Sequence, residues 1–388
     1  MKDEIRQRIQ AVQRFLAGEK PESICTSMRL SRSWLYKWVS RYDEKDDTWC
    51  KNRPTVLFHA TNRTSLEIEE IVKMIRLNLY NQDLFCGAQA ILWELEDLGV
   101  KPLPSLRTIN RILSRNELTH RRTGIYEPKG TPYPKLPALL PNQTHQMDLV
   151  GPCYLTGPLR FYGINVIDAA TARCGLHSSP SKAGQDVLDG AWAIWSRLGI
   201  PDNLQIDNAL SFFGSPKYPR ATSQFIRLCL HHGVELWFIP MSEPWRYGLI
   251  EQFNDHYQQK FLDKVIMTTA DELRAATLAF EQRHNSKYRY SKLGGKTPLK
   301  ALAATQAQLR FPNHEENPRQ RLEKPEVGRY HLVRLVRSDL KLNIFGEQFS
   351  VPPELKLEYV VATIDVKEQK LKLFLDKNQV EEFEYKMR

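Results

Sequence analysis

Metal-binding cysteine patterns and long apolar runs are both missing from this sequence of 388 residues. Its six cysteines form no Cys-x-x-Cys pair and no zinc-site spacing with histidine, so we expect reduced thiols. No apolar stretch approaches the roughly 18 residues of a membrane span, and the first residues form no apolar signal region. We therefore expect no membrane partner and a cytoplasmic, nucleoid-associated protein of a prokaryotic cell, although a nuclear protein would look similar.

Acidic residues are too few to balance the basic ones. The chain has 55 Lys and Arg against 45 Asp and Glu, a net charge of +10. The excess is concentrated in residues 1–140, which carry 23 basic and 17 acidic side chains. Clustered cations gain affinity for an anionic partner by releasing phosphate counterions. Charge thus favours nucleic acid, but does not by itself distinguish it from an acidic protein or membrane.

Residues 1–47 show three helical segments. An apolar stripe from Ile5 to Phe15 predicts the first, PESICTSM the second, and Ser31 is placed to cap the third, RSWLYKWVSRY. Three helices with a tight turn before the last are typical of a helix-turn-helix, whose third helix enters the major groove. The alternative is a small bundle with a solvated surface. The residues that would face DNA are Arg32, Ser33, Lys37 and Arg41.

A second helical unit, 64–119, follows a polar linker at 46–64. Its predicted helices cover 66–81, 87–98 and 105–117, and the last begins with a cap-like serine. This layout repeats that of the first unit and predicts a second helix-turn-helix-like domain. The alternative is that the unit only packs on the domain that follows. Its candidates for groove or phosphate contacts are Arg107, Asn110, Arg111 and Arg115.

The region 141–300 combines strands and helices after a basic, proline-rich linker from His120 to Pro141. Strands are predicted at 144–150, 160–168 and 172–178, a helix at 183–198, a strand at 203–207, a helix at 221–232 and a strand at 235–239. The next helix has the buried positions Ile250, Phe253, Tyr257 and Phe261. Three antiparallel strands followed by strand–helix alternation predict an α/β domain.

Three carboxylates lie at the ends of predicted strands or near the start of a predicted helix in this α/β region. Asp148 and Asp207 each end a strand-like run, with 58 residues between them, and Glu251 follows after 43 more near the start of a helix. Converging carboxylates repel one another unless cations neutralise them. Hard oxygen ligands favour magnesium or manganese, and two such ions about 4 Å apart serve in-line phosphoryl displacement. The chemistry of DNA cleavage and strand transfer fits this pattern.

Five sequence blocks in order strengthen that hypothesis: NQTHQMDLVGP, FYGINVIDAATARC, IDNALSFF, FIPMSEPWRYGLIEQFN and NSKYRYSKLGGKTP. With them, 141–298 resembles the transposases and retroviral-type integrases that carry an Asp, Asp, Glu triad on an RNase H-like fold. Several positions depart from the family pattern, although each triad position is an acid. The departures are His145 for Trp, Ala209 for Gly after Asp-Asn, Tyr247-Gly248 for Asn-Gly, and Gln252 for Arg.

The resemblance implies a DNA transposase or integrase of the insertion-sequence type. Asp148 and Asp207 would share two magnesium or manganese ions, and Glu251 would complete the second site. Water would first expose a 3′ hydroxyl at the element end, and that hydroxyl would attack target DNA. The implied partners are double-stranded DNA, a homo-oligomer in a synaptic complex and a possible helper ATPase. The two helical units resemble bipartite end-recognition regions.

The loop before the Glu251 helix offers further contacts to DNA. Trp245, Arg246 and Tyr247 are candidates for stacking on or pairing with a frayed DNA end, or for clamping the loop itself.

Past the α/β region, six short alternating runs predict a small all-β barrel at 328–388. It resembles the barrel of Mu-type transposases and is expected to bind DNA or a second protomer. Two alternatives remain open: a domesticated or inactive transposase acting as a DNA-binding regulator, and an RNase H-like nuclease.

Overall fold

The computed structural model describes residues 2–46, 48–52, 64–119, 134–154, 160–215, 217–218, 220–241, 243, 247–313, 315–317 and 319–388. Most of the predicted linker at 46–64 and residues 120–133 of the basic linker lie outside this part of the chain. Two compact units divide the protein, Met1–Arg63 and Thr64–Arg388. Within the described ranges, every helix is too short or too polar to cross a membrane.

The first unit contains the three predicted helices, α1 (Lys2–Leu16), α2 (Pro21–Met28) and α3 (Arg32–Val39). Arg29 adopts a left-handed conformation with φ of 52° and ends α2. The Ser31 hydroxyl then accepts the N–H of Trp34 at 3.2 Å, which is the predicted cap of α3. Buried Ala11, Ile24 and Leu35 form the centre of a core contained within this unit.

The second unit begins with α4 (Leu66–Asn81), α5 (Ala88–Asp97) and α6 (Leu106–Arg115), close to the predicted bounds. Ser65 and Ser105 cap α4 and α6 by accepting backbone N–H groups. Their core includes Tyr288, which directly follows the helix Ala270–Lys287 far downstream in the α/β region. These three helices therefore share their core with the rest of the second unit.

Several contacts attach α4–α6 to the α/β region. The Tyr288 hydroxyl donates to the backbone carbonyl of Asp83 at 2.8 Å. The Phe85 ring lies 4.8 Å from that of His256 and 4.9 Å from that of Tyr288. Arg289 donates to the Asp97 carboxylate at 2.7 Å. The packing role that was left open as an alternative is thus present in the structure.

The α/β region is built on five strands: β1 (Thr144–Tyr154), β2 (Arg160–Asp168), β3 (Cys174–Ser179), β4 (Asn203–Ile206) and β5 (Glu235–Phe238). β1 pairs antiparallel with β2 and parallel with β4. The helices are α7 (Gly184–Leu198), α8 (Leu210–Phe213), α9 (Gln224–His231), α10 (Gly248–Tyr257), α11 (Ala270–Lys287) and α12 (Pro298–Ala303). A π-helical turn, Gln258–Leu262, continues α10. This mixed α/β architecture confirms the predicted fold class of the region.

Two apolar cores lie against the sheet. One contains side chains of β1, β2 and β4 together with α7 and α9. The other contains side chains of β2 and β3 together with α10 and α11, including the four predicted positions Ile250, Phe253, Tyr257 and Phe261. Because that face of α10 is buried, Glu251 is held at the border between the core and solvent.

Side chains of α11 cover the outer edge of β3. The Glu281 carboxylate accepts the N–H of Leu176 at 2.7 Å, and Asn285 exchanges two 2.8 Å hydrogen bonds with the backbone of Cys174. Arg197 pairs with Glu281 at 2.9 Å. These groups replace a neighbouring strand, which satisfies the backbone and blocks edge-to-edge association.

The C-terminal runs form the six predicted strands: β6 (Arg329–Leu335), β7 (Lys341–Ile344), β8 (Glu347–Ser350), β9 (Tyr359–Asp365), β10 (Lys370–Leu375) and β11 (Asn378–Glu384). A separate small barrel is not confirmed. β6 pairs in parallel with β5, giving a nine-stranded sheet in the order β11-β10-β9-β6-β5-β4-β1-β2-β3. Pairing with β6 satisfies backbone groups that would otherwise be left at the edge of β5.

Candidate active site

The register of the parallel strands brings the two predicted aspartates together. Gln146 of β1 lies beside Gln205 of β4. Asp148 and Asp207 each follow two residues later in the same direction, so they lie at the same level of these adjacent strands. Glu251, in the first turn of α10, is close enough that the Asp148 charge raises its pKa. The fold thus collects all three acids at one end of the sheet.

Burial dominates the electrostatics of these acids. It is the largest cause that raises the pKa of Asp148, and the charge of Asp207 adds to it. Burial also raises the pKa of Asp207, against the opposing effects of the Ala209 N–H and the Lys182 charge. The pKa of Glu251 is raised by partial burial, then by Asp148 and Asp255. The ionised forms are therefore costly here unless positive charge is supplied.

Hydrogen bonds orient the Asp148 carboxylate on both sides. Its Oδ1 accepts the N–H of Leu149 at 2.9 Å, and its Oδ2 accepts Asn254 Nδ2 at 2.7 Å. Asn254 lies one turn after Glu251 on α10, and its own Oδ1 accepts Asn165 Nδ2 at 2.8 Å. The sequence reasoning missed both asparagines. The available signal was the three-residue spacing of Glu251 and Asn254, which places them on neighbouring helix positions.

Tyr247 clamps the start of α10 instead of facing DNA. Its ring is 3 % exposed, and its hydroxyl donates to the Gln205 carbonyl at 2.5 Å and accepts the Met147 N–H at 2.8 Å. Gln146 adds a second clamp by accepting the Ile250 N–H at 3.0 Å. The predicted DNA contact at Tyr247 is therefore corrected, because its polar atom satisfies backbone groups of two strands. Trp245 and Arg246 lie outside the described residues.

The donor set suits a hard divalent cation. Asp207 Oδ1 accepts the Ala209 N–H at 2.9 Å, and the Glu251 carboxylate makes no hydrogen bond within the described part of the chain. Oxygen-only ligands whose ionised forms are disfavoured by burial and mutual repulsion fit magnesium or manganese. The three acids do not all approach within 4.8 Å; in the described ranges only His231, His232 and Glu316 form such a group.

The DNA-contact candidates of the first unit lie on α3 or just after it. Arg32 is exposed and pairs with Glu22, while the Ser33 hydroxyl lies 3.1 Å from that of Ser31. Lys37 and Arg41 approach the Trp38 ring at 5.8 and 5.0 Å. Their positive charges remain at or near the surface of α3, where the sequence pattern predicted them.

The candidates on α6 divide into two groups. Arg107, Asn110 and Arg111 are exposed, and none of them has a partner in the ranges that the structure describes. Arg115, in contrast, donates two hydrogen bonds to the Glu69 carboxylate, at 3.1 and 2.7 Å. Glu69 is 6 % exposed and requires a cation, so Arg115 has a structural role between α4 and α6. The Arg115 side chain is nevertheless exposed, and its DNA contact stays a prediction.

Two family models match this chain. Residues 2–48 match a homeodomain-like domain, and residues 232–298 match an integrase core domain. These matches confirm the resemblance to transposases and integrases that the sequence blocks indicated. The integrase match includes Glu251 and its helix, while Asp148 and Asp207 lie before it.

Solved structures similar to the chain include integrases at low identity. The HTLV-2 integrase catalytic core domain in complex with magnesium is 17 % identical in its dimeric form, with a TM-score of 0.32, and the match covers 43 % of this chain and 99 % of that one. Its trimeric form is 17 % identical with a TM-score of 0.34, and the match covers 42 % of this chain and 99 % of that one. A chain of the simian T-cell lymphotropic virus intasome in complex with PP2A regulatory subunit B56 gamma is 14 % identical with a TM-score of 0.38. That match covers 75 % of this chain and 88 % of the other.

Proposed function

We propose that this protein is a DNA transposase or integrase that cuts DNA at the ends of a mobile element and joins them to target DNA. The observation that carries this proposal is the parallel register that sets Asp148 beside Asp207, with the α10 acid Glu251 next to them. The integrase core match across α10 supports the same reading. The substrate is double-stranded DNA, which fits the net charge of +10.

Asp148, Asp207 and Glu251 would hold two magnesium or manganese ions. Such ions, when bound, activate an attacking oxygen and stabilise the leaving oxygen of a phosphoryl displacement. The chain contributes orientation. Asn254 fixes one oxygen of Asp148 at 2.7 Å, and the Ala209 N–H fixes one oxygen of Asp207 at 2.9 Å. The other Asp148 oxygen accepts the Leu149 N–H, so each Asp148 oxygen would bind a metal ion through its second lone pair. Asp207 would offer Oδ2, and Glu251 either carboxylate oxygen.

Two displacements at phosphorus follow in order. Water attacks the phosphodiester at the element end, and the 3′ oxygen leaves as a free hydroxyl. That hydroxyl then attacks a phosphodiester of the target, whose own 3′ oxygen leaves. No covalent protein intermediate is needed. Because an element has two ends, two sites must act together, so we propose a homo-oligomeric synaptic complex with the exposed cations of α3 and α6 positioning the DNA.

A strand-transfer assay tests the proposal directly. DNA from the borders of the gene is incubated with the protein and magnesium or manganese, and cleaved and joined products are separated by size. Asp148→Asn, Asp207→Asn and Glu251→Gln should each reduce cleavage to background while border binding remains. Asp271→Asn is the matched control, because Asp271 is an exposed acid in the first turn of α11 and does not contribute to the pKa shifts of the three acids.

The outcomes separate the alternatives. Wild-type cleavage by any one of the three triad variants would remove that carboxylate from the mechanism. Specific border binding without any joining would favour a DNA-binding regulator. Metal-dependent cleavage of DNA that lacks the borders, with no joining, would favour a nuclease.

A further inference from the structure

The C-terminal strands reach the same end of the sheet as the three acids. β6 extends the parallel set, since Phe238 of β5 lies beside both Ile206 of β4 and Leu332 of β6. Two residues beyond this row, Arg334 is level with Asn208, the residue that follows Asp207. We propose that Arg334 and Tyr359, both on C-terminal strands, are positioning residues for the carboxylate site. This inference rests on the proposed function.

Arg334 ties down the segment that carries Asp207. Its Nη2 donates to Asn208 Oδ1 at 2.7 Å, and its Nη1 donates to the Ile239 carbonyl at 3.1 Å. Asn208 Nδ2 donates to the same carbonyl at 2.7 Å, which closes a ring of three groups. Arg334 is 6 % exposed, so these bonds are made away from bulk water. The segment from Asp207 to Ala209 is therefore held from the C-terminal side of the sheet.

Tyr359 contacts a described residue between β5 and the Glu251 helix. Its hydroxyl lies 2.6 Å from both carboxylate oxygens of Glu243, which stands between β5 and α10. Tyr359 itself is 9 % exposed and pairs with Leu335, the residue after Arg334, across β6 and β9. Adjacent positions of β6 and β9 thus contact Asn208, which follows Asp207, and Glu243, which precedes α10.

This arrangement gives the C-terminal strands a role in the site that a separate barrel would not have. Residues that orient a metal ligand without touching the metal typically contribute about 10–100-fold to its affinity. Arg334 offers a planar fork that binds two acceptors at once, whereas lysine offers a single ammonium group. Arg334→Lys should therefore keep the charge and lose the geometry.

The test measures Mn²⁺ binding to the full chain by titration calorimetry, in the absence of DNA. Wild type should bind Mn²⁺, and Asp207→Asn identifies the binding that belongs to the carboxylate site. Arg334→Lys, Asn208→Ala and Tyr359→Phe should each weaken that binding by about tenfold. Arg337→Ala, an exposed arginine three residues after Arg334, is the matched control and should bind as wild type does.

A double-mutant cycle separates positioning from a general loss of stability. If Arg334 acts through Asn208, Arg334→Lys combined with Asn208→Ala should weaken Mn²⁺ binding no more than the stronger single variant. Multiplied effects, or wild-type affinity in both single variants, would overturn the inference. Asn208→Ala also covers the case in which the Arg334 variant fails to fold. Absence of any Asp207-dependent Mn²⁺ binding in wild type would overturn the proposed function itself, and this inference with it.

Discussion

The two three-helix units have the same predicted layout of helices but differ in how they complete their cores. In the first, Ala11, Ile24 and Leu35 meet within residues 1–63. In the second, the core of α4–α6 includes Tyr288 of the α/β region, and polar contacts from Arg289 reinforce the attachment. Apolar periodicity specifies a helix and its buried face, but not which part of the chain covers that face.

Removing the shared side chain gives the largest expected effect on this comparison. Tyr288→Ala deletes a ring that is 1 % exposed together with its hydrogen bond to Asp83, and should cost about 3–5 kcal/mol. The loss should appear in the unfolding of the second unit only. Leu35→Ala, a fully buried position of the first unit, should produce the reverse pattern. Scanning calorimetry of the full chain resolves the two transitions, and a common shift of both by either variant would contradict separate cores.

Acid should weaken the second unit before the first. Burial lowers the pKa of His145 to about 3 and of His284 to about 4, so both are neutral when folded. Unfolding lets them bind protons below a pKa near 6.5, so stability is present above that pH and is lost as pH falls toward the folded values. At pH 5 the loss is about 2 kcal/mol for each histidine.

Urea unfolding of the second unit at pH 7 and pH 5 measures this acid effect. His145→Gln should remove the His145 part, since an amide can still donate to Asn142 Oδ1, which lies 3.0 Å from the imidazole Nε2. The first unit contains one of the ten histidines of the chain, His59, which lies outside the described residues, and it serves as the reference with the smaller expected response. A wild-type response retained in full by His145→Gln would show that His145 does not titrate on unfolding.

The ion pair between α4 and α6 should give a smaller effect. Arg115→Ala leaves the buried Glu69 carboxylate with Asn116 as its remaining partner on α6 and should cost about 2 kcal/mol. Arg111→Ala, on the exposed face of the same helix, should leave stability unchanged. Urea unfolding of both variants measures the difference. Equal stabilities would mean that water replaces the guanidinium at Glu69.

The sequence predicted the parts of the site that follow from local pattern. Period-two and helical spacing gave the strands and helices, and the interruption of apolar runs marked Asp148 and Asp207. It did not show that the Tyr247 hydroxyl hydrogen-bonds the backbone of two strands, or that Arg334 donates to Asn208. Those contacts depend on which strands become neighbours. The separate barrel was predicted because alternating runs specify strands, whereas backbone hydrogen bonding decided that β6 joins β5.

The smallest expected effect is a change in the salt dependence of DNA binding, which should differ between variants of the two units. A lost phosphate contact lowers the salt slope of binding by about one unit. Arg111 has no partner in the described residues, so Arg111→Ala should show this change in full. Arg32 is paired with Glu22, and that pair must break before Arg32 can meet a phosphate. Arg32→Ala should therefore weaken DNA binding less than Arg111→Ala does, and Glu22→Gln should strengthen it.

Fluorescence anisotropy with border DNA at several salt concentrations measures the affinity of all three variants. If Glu22→Gln binds as wild type does while Arg32→Ala and Arg111→Ala weaken binding equally, the Glu22 pair does not restrain Arg32, and the two units contact DNA on equal terms.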